Sequence, residues 1–334
     1  MHHFCNIMKI LVVGYGSIGK RHVKNILKLS NHKIIVCTKH KDDFLDKNGC
    51  LVYESLNDGI KEKPDIALIT NVTSLHVDTA LKLAKSNCHL LVEKPLSHSK
   101  KNIQKLLNIL EKNNSVTLMG CNLRFHPCIK KIRELVINKK IGTIISVKAE
   151  NGSYLPDWHP KEDYRLGYAA REDLGGGVLL TMIHELDYLI WFFGNIKEVF
   201  SITGKFSNLK ISADDLSVIL LQFKNNIIGE VHLDYFQRSK IRSCKIIGTK
   251  GTIYWTSENE SVKIYNNEKK KWTTVMNQKK FDINCTYLDE LSYFLKCISM
   301  KKETMNPISQ GARTLDLALA IKKSSRIKRM VELD

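Results

Sequence analysis

The chain has 334 residues, 43% of them hydrophobic, and a formal net charge of +18. This composition excludes a disordered chain, and the length accommodates two domains. The lysines are spread along the chain, and the densest run, residues 269–271, is predicted to be a solvated hairpin loop. We therefore attribute the charge to an anionic cofactor or substrate and expect no nucleic-acid partner.

The nine cysteines are scattered and none forms a C-x-x-C pair, which argues against a zinc ribbon and favours reduced thiols. No uninterrupted apolar run reaches about 18 residues, so no membrane-spanning helix is predicted. No secretory signal is expected before the first strand. The spacing of Asp157, His159 and His184 matches no metal site. The expectation is a cytoplasmic protein without membrane contact or bound metal.

The first chemical signal is a glycine-rich turn between a strand-like apolar run, residues 10–13, and a helical pattern. This order is typical of dinucleotide sites, in which helix N–H groups and the helix dipole hold phosphates. Gly14 permits the tight turn, Gly16 lets a pyrophosphate approach, and Gly19 lets the helix pack on the strand. The predicted cofactor-binding residues of this segment are Gly14, Tyr15, Gly16, Ser17, Ile18, Gly19 and Arg21.

The end of the second predicted strand, residues 33–38, selects between NAD and NADP. Where an acid would bind the ribose 2′-hydroxyl of NAD, the chain has Thr38 and Lys39, with Lys41 beyond. A small hydroxyl with cations suits a 2′-phosphate, so the pattern favours NADP over NAD. The adjacent acids, Asp42 and Asp43, would serve NAD if the strand ended later.

Two more predicted strand ends face the same crevice, because ligands bind at the carboxyl ends of parallel strands. The strand at residues 64–70 ends at Thr70 and leads to Asn71 and His76. These are candidate contacts to the nicotinamide ribose, although His76 is equally explained as a helix cap. The strand at residues 89–92 stops at Glu93 and Lys94, before a proline that prevents its continuation.

The alternation of strands and helices up to residue 120 predicts a doubly wound parallel sheet of the Rossmann type. After residue 124, seven strand-like runs lie between residues 144 and 265, several of them separated by hairpin signals, followed by helices at 286–300 and 309–328. The predicted fold class is therefore α/β, with a second α/β domain containing a large, mostly antiparallel open sheet. The predicted domains are residues 1–123 and 124–334.

A second chemical centre follows three glycines at residues 175–177. On one helix, Thr181, His184, Asp187 and Tyr188 would form a single polar stripe. Histidine titrates near neutral pH, so His184 is a candidate to take and return a hydroxyl proton, with Asp187 orienting the imidazole. The glycines would let this helix pack close beneath the cofactor.

These motifs, together with Glu93-Lys94-Pro95 and residues 122–127, resemble in kind and order the Gfo/Idh/MocA oxidoreductases, which act mainly on sugars and polyols. The resemblance implies hydride transfer between a nicotinamide and a carbinol carbon, with His184 as the general acid-base group. Lys94 would stabilise developing charge on the reacting oxygen. The aspartate that many members place one turn before the histidine is absent, since Leu180 and Thr181 stand there. Asp187 or Tyr164 would substitute.

Substrate contacts are expected from aromatic, cationic and polar groups that suit a sugar. The segment at residues 154–165 resembles a branch of the family associated with cell-surface sugar biosynthesis, which suggests nucleotide-activated or acidic sugars. An alternative is that this segment is a structured loop covering the sheet edge. The predicted substrate-binding residues are Asn122, Arg124, Trp158, Tyr164, Arg165 and His184.

Two other functions stay open. The missing aspartate is compatible with a cofactor-binding regulatory or scaffold protein without turnover. Redox-neutral chemistry, with a bound cofactor reduced and reoxidised in one cycle, is the second. An open antiparallel sheet needs a cover, so a homodimer or homotetramer is expected.

Overall fold

The computed structural model describes residues 7–40 and 42–333, so Lys41, one of the cations predicted near the cofactor, lies outside the described residues. The chain divides into two units. The first contains the residues up to Asn122 together with Asn284–Arg313, and the second contains Leu123–Ile283 together with the residues from Thr314 onwards.

The first unit is built on a six-stranded parallel sheet with the strand order β3-β2-β1-β4-β5-β6. The central strands are buried on both faces, as parallel strands covered by helices are. The strands are β1 (Lys9–Val13), β2 (Lys33–Cys37), β3 (Leu51–Tyr53), β4 (Ile66–Ile69), β5 (His89–Glu93) and β6 (Thr117–Gly120). The helices are α1 (Ser17–Leu29), α2 (Asp43–Lys47), α3 (Leu56–Lys61), α4 (His76–Ala84) and α5 (Ile103–Lys112).

A late helix, α9 (Asn284–Ser299), belongs to this first unit. Its buried residues Leu291, Phe294 and Leu295 join the apolar core beneath β1 and α1. The division predicted from sequence has a single boundary near residue 123 and places residues 284–313 in the second domain. The chain instead returns to the first sheet, because the apolar face of α9 completes the core on that side.

The second unit is built on a nine-stranded sheet with the order β14-β13-β12-β11-β7-β10-β9-β8-β15. All pairs are antiparallel except β7 with β10, as the predicted mostly antiparallel sheet requires. The strands are β7 (Ile144–Gly152), β8 (Ile196–Gly204), β9 (Leu216–Phe223), β10 (Ile228–Asp234), β11 (Ile241–Gly248), β12 (Gly251–Thr256), β13 (Ser261–Asn266), β14 (Lys271–Asn277) and β15 (Val331–Glu332). The helices are α6 (Pro127–Ile137), α7 (Val178–Thr181), α8 (His184–Phe193) and α10 (Ile308–Ile327), of which the first residues of α10 lie in the first unit.

The strands of the second unit alternate between buried and more exposed side chains, so one face of the sheet is packed and the other is open. On the open face, Ile202, Leu220 and Ile228 are about half exposed. Every strand predicted between residues 144 and 265 is present.

Within the described residues, no single helix has the length and hydropathy of a membrane span; the bent pair Glu172–Thr181 and His184–Phe193 meets both criteria only when taken together.

Candidate active site

In the glycine loop, Gly14 and Gly19 are tightly surrounded by protein atoms, whereas Gly16 has free space beside it. Gly14 has φ +94°, and a Cβ on it would lie 2.7 Å from the backbone nitrogen of Asn71. A Cβ on Gly19 would clash with the carbonyl oxygen of Gly14, whereas a Cβ on Gly16 would meet nothing within 4 Å. Gly14 and Gly19 are therefore required by close packing, whereas Gly16 presents bare backbone where a ligand can approach.

The start of α1 suits an anion. Gly16 is its N-cap residue, Ser17 and Ile18 are its first two residues, and among the described residues no side chain caps it and no acid lies in its first turn. The Thr70 hydroxyl donates to the carbonyl oxygen of Gly14 at 2.8 Å and so fixes the loop. The helix N–H groups and the positive end of the dipole fit the pyrophosphate of a dinucleotide.

Two predicted cofactor contacts have structural partners in the first unit. The ring of Tyr15 is buried, with the ammonium of Lys20 5.2 Å from its centroid, and burial together with Asp42 raises the pKa of Tyr15 to about 12. The guanidinium of Arg21 lies 4.6 Å from the ring centroid of Tyr287 on α9. Both side chains thus brace the glycine loop and its helix.

The structure ends β2 at Cys37, so Thr38 and Lys39 follow the strand directly. Thr38 is buried and its hydroxyl accepts a backbone N–H two residues further on, while Lys39 is exposed. Asp42 caps α2 and its carboxylate lies 3.2 Å from the ammonium of Lys20. The strand end therefore carries a hydroxyl and a cation, with a carboxylate already engaged nearby.

Lys94 is half-buried and follows the last residue of β5, Glu93. The carboxylate of Glu93 is buried and lies 2.8 Å from Nε2 of His22, a fully buried residue of α1. A Cβ on Gly120, the partner of Glu93 in β6, would lie 3.0 Å from the carboxyl carbon. Sequence reasoning used His22 only as part of the motif and gave it no partner.

His76 joins two loops. Its Nδ1 lies 2.8 Å from the carbonyl oxygen of Pro95, and its Nε2 lies 2.9 Å from the carbonyl oxygen of Asn71. The side chain does not cap α4, which was the alternative prediction. Burial lowers the pKa of His76, against the opposing effect of the two carbonyls. The Asn71 side chain donates to the hydroxyl of Thr79 at 3.0 Å.

His184 is the first residue of α8, and the predicted single helix is wrong. The helical segments Glu172–Thr181 and His184–Phe193 are bent by 50° at the break between them. Thr181 and His184 therefore do not share one continuous helical face. Both are buried.

Asp187 has a strong partner other than His184. Arg124 donates from Nε to Oδ2 at 2.9 Å and from Nη2 to Oδ1 at 2.7 Å, and both side chains are buried. Trp191 lies against this pair, with the guanidinium of Arg124 5.3 Å and that of Arg133 4.5 Å from its ring centroid. Asp187, which was predicted to orient the imidazole, and Arg124, which was predicted to bind substrate, are thus bonded to each other.

The sequence reasoning missed Glu185, which follows His184 and is fully buried. Its Oε1 lies 2.8 Å from Nε of Arg242, and its Oε2 accepts from the amide of Asn151 at 3.3 Å. These partners come from β11 and β7, so no local spacing points to them. Tyr188 is also fully buried, which raises the pKa of its phenol.

The predicted sugar-binding segment is ordered by its own contacts. The indole of Trp158 donates to Ser153 at 2.9 Å and its ring packs edge-on against Tyr235. The hydroxyl of Tyr164 accepts the backbone N–H of Lys210 at 3.2 Å. The backbone contacts of the segment include Leu155 with Tyr235, which ties it to the end of β10.

Two other predicted substrate residues have partners of their own. Arg165 is exposed and pairs with Asp163, whose pKa the guanidinium holds at about 2. In the first unit, the amide of Asn122 donates to the hydroxyl of Thr286 on α9 at 2.8 Å, and both are buried. Arg165 is thus exposed to solvent, whereas Asn122 is engaged inside the core.

The three glycines contact their own unit. A Cβ on Gly176 would clash with the carbonyl oxygen of Tyr168, and Gly177 has φ +102° with the carboxylate of Asp214 against it. Asp214 also pairs with Lys322 at 2.9 Å beside a cavity of about 380 Å³. The cavity is lined by Glu172, Thr203, Gly204, Lys205, Ser212, Ala213, Asp214, Lys322, Ser325 and Arg326, which include none of the predicted site residues.

One group of metal-ligand type lies in the second unit. The ligand atoms of His126, Cys128 and Glu260 lie within 4.8 Å of one another. Nδ1 of His126 accepts the backbone N–H of Cys128 at 3.2 Å, so the proton sits on Nε2, which faces Glu260 at 3.3 Å. Burial raises the pKa of the Cys128 thiol to about 12. These three side chains form a polar cluster beside the first turn of α6.

Two family models match the chain. The model of the oxidoreductase family with an NAD-binding Rossmann fold matches residues 8–121, and the GFO/IDH/MocA C-terminal domain matches residues 129–254. Together they span most of the chain, one in each unit.

Individual relatives are distant but cover the chain. Myo-inositol 2-dehydrogenase of Thermotoga maritima is 25% identical over 98% of this chain and 99% of its own length. The 2,7-anhydro-N-acetylneuraminate hydratase of Escherichia coli is 23% identical over 72% of this chain and 66% of its own length. The structure of levoglucosan dehydrogenase in complex with NADH superposes with a TM-score of 0.88 at 16% identity, covering 98% of this chain and 100% of that one. With both family models matched in order and a relative aligned end to end, the chain belongs to the Gfo/Idh/MocA family of oxidoreductases.

Proposed function

We propose that this protein is an NAD(P)-dependent oxidoreductase that interconverts a carbinol and a carbonyl on a sugar or polyol. The observation that carries the proposal is the glycine loop, closed at Gly14 and Gly19 and open at Gly16, ahead of a helix without a side-chain cap. The named activities of the inositol and levoglucosan dehydrogenases support the substrate class.

The chemistry is assigned to two side chains. A bound nicotinamide supplies the acceptor or donor of the hydride. The ammonium of Lys94 donates a hydrogen bond to the reacting oxygen and stabilises negative charge that develops there. The imidazole of His184 takes or returns the hydroxyl proton. Arg124 holds the carboxylate of Asp187 in place on α8, and Tyr164 is proposed as the supporting group.

Substrate recognition is proposed for the exposed part of the segment near residue 160. Trp158 offers a ring face, and Arg165 offers donors for hydroxyls or for an acidic or nucleotide-activated sugar. Arg124 and Asn122 are buried and engaged, so we give them supporting roles within their own units.

The test is turnover with a panel of polyols and sugars that includes myo-inositol and levoglucosan, followed by the absorbance of the reduced cofactor. Lys94→Ala and His184→Ala should each lower the rate by at least about a hundredfold. The exposed matched control Lys85→Ala should leave it unchanged. Unchanged turnover in either active-site variant would refute the role given to that residue.

We propose NADP over NAD as the preferred cofactor. Thr38 and Lys39 directly follow the end of β2, where a 2′-phosphate would need a hydroxyl and a cation. Lys39→Asp should weaken NADPH binding while sparing NADH, and Lys33→Asp at the opposite end of β2 is the matched control. Tighter binding of NADH by the unmodified protein would reverse this preference.

A second candidate function is redox-neutral conversion of a sugar. The hydratase relative favours it, as does the absence of an acid one turn before His184. This candidate predicts cofactor that stays bound through purification and sugar conversion without net cofactor reduction. A purely regulatory protein would instead bind cofactor and convert no sugar.

We also propose that a second copy of the chain covers the open sheet face, as a homodimer or within a homotetramer. The exposed apolar residues Ile202, Leu220 and Ile228 support this proposal. Leu220→Lys should lower the mass measured by sedimentation, and an unchanged monomeric mass in the unmodified protein would contradict it. A reducing, cytoplasmic location is proposed from the eight described cysteines, all free thiols, and would be checked by cell fractionation.

A further inference from the structure

Two buried histidines of the first unit hold the residues on either side of Lys94. His22 bonds the side chain of Glu93, which precedes Lys94, and His76 bonds the backbone of Pro95, which follows it. Both histidines are at most 2% exposed. Lys94 is therefore flanked by two fixed points in the chain.

The contact before Lys94 connects the turn to the cofactor helix. His22 lies on α1, the helix whose N-terminus follows the glycine loop. Its Nε2 meets Oε1 of Glu93 at 2.8 Å, and Gly120 on β6 leaves room for that carboxylate. The ring of Tyr287 on α9 packs edge-on against His22, with centroids 6.0 Å apart. This carboxylate is thus held in place from several directions.

The contact after Lys94 connects the turn to the loop that follows β4. His76 lies between the carbonyl oxygens of Pro95 and Asn71, and in the tautomer protonated at Nδ1 its ring donates to Pro95. The backbone of Asn71 in turn packs against Gly14 of the glycine loop. The two histidines therefore connect the Lys94 turn to the two segments that form the predicted pyrophosphate and ribose sites.

We propose that His22 and His76 are positioning residues that together fix the Lys94 ammonium for catalysis. The proposal rests on the role proposed above for Lys94. Neither histidine donates to substrate in this account. Their effect is geometric, because misplacing a catalytic group by about 1 Å can cost about a hundredfold in rate.

The two histidines use different ring nitrogens towards the turn, which gives an experiment with opposite expectations at the two positions. A glutamine amide nitrogen replaces Nε2, and an asparagine amide nitrogen replaces Nδ1. His22→Gln can still donate to Glu93, whereas His22→Asn cannot reach it. His76→Asn can still donate to Pro95, whereas His76→Gln keeps only the contact with Asn71.

The first readout is kcat on whichever sugar the panel identifies, compared with the Kd for reduced cofactor. His22→Asn and His76→Gln should lower kcat at least about tenfold and change the Kd by less than about threefold. His22→Gln and His76→Asn should remain within about threefold of the unmodified kcat. The control Val23→Ala truncates a fully buried residue of α1 next to His22 and should leave kcat unchanged in folded protein.

The second readout does not depend on turnover. The rate of Lys94 acylation by acetic anhydride, measured by mass spectrometry on cofactor-loaded protein, should rise in His22→Asn and His76→Gln only. Equal effects of asparagine and glutamine at both positions would overturn the proposal, as would loss of cofactor binding in parallel with kcat. If cofactor binds but no sugar is turned over, the proposed function fails, and the acylation pattern still decides the positioning role.

Discussion

The Lys94 turn and the His184 helix differ in how their polar groups are held. Beside Lys94, the partners are backbone carbonyls and a carboxylate from the same parallel sheet and its helices. Beside His184, Asp187 and Glu185 are taken by Arg124 and Arg242, from outside the helix. The turn is thus a rigid platform whose motif residues are close in the sheet, whereas the helix is anchored by ion pairs between distant elements.

The difference bears on catalysis. A carboxylate one turn beyond a histidine is a natural candidate to orient it, and Asp187 has this spacing. In the fold its two oxygens accept from the guanidinium of Arg124. Spacing on a helix therefore identifies possible partners, and it does not reveal the buried cation that another element brings to the same carboxylate.

The largest effect is expected from breaking the anchor of the His184 helix. Arg124→Met leaves the Asp187 carboxylate buried without its cation and should lower the free energy of unfolding by about 3–5 kcal/mol. The double variant with Asp187→Leu should recover most of this loss. The measurement is urea unfolding, and a loss below about 1 kcal/mol in the single variant would show that the pair anchors little.

The next effect separates packing from ligand binding in the glycine loop. Gly19→Ala places a Cβ against the Gly14 carbonyl and should destabilise the protein by about 1–3 kcal/mol even without cofactor. Gly16→Ala meets open space, so it should leave the melting temperature unchanged while weakening cofactor binding. Thermal unfolding with and without NADH measures both. Equal destabilisation by both variants would contradict the open character of Gly16.

A smaller effect concerns the platform under Lys94. Burial holds the pKa of His76 below its unfolded value, so the folded protein binds fewer protons than the unfolded chain. Stability from this group is complete above about pH 6.5 and falls as the pH drops, by up to about 1.4 kcal/mol per pH unit. His76→Asn should flatten this slope in urea titrations between pH 7 and pH 5. An unchanged slope would mean that other groups, such as buried His32 and half-buried His89, carry it.

The smallest effect is expected at the exposed pair Asp163 and Arg165. Arg165→Gln should leave the free energy of unfolding nearly unchanged, since surface ion pairs contribute little. If Arg165 binds an acidic sugar, the same variant should raise KM for that substrate. A large loss of stability with an unchanged KM would show that the pair stabilises the folded protein and does not bind substrate.

Local patterns were sufficient to predict the parallel sheet, the glycine loop and the strands between residues 144 and 265, because alternating burial and glycine turns are properties of short segments. The return of α9 to the first unit was not predictable, since Leu291 and Phe294 read only as an apolar helix face. The pairing of Arg124 with Asp187 depends on the packing of α8 within the second unit, and no local pattern indicates it. The break before His184 was missed because the apolar run through residues 178–183 continues the helical period.

Fluorescence titration of cofactor-free protein with NADH and NADPH tests the central claim most directly. We expect saturable binding of at least one of them, weakened in Gly16→Ala, because the loop is open at that position. Absence of saturable binding of both would contradict the assignment of the glycine loop as a cofactor site, and with it the proposed oxidoreductase function.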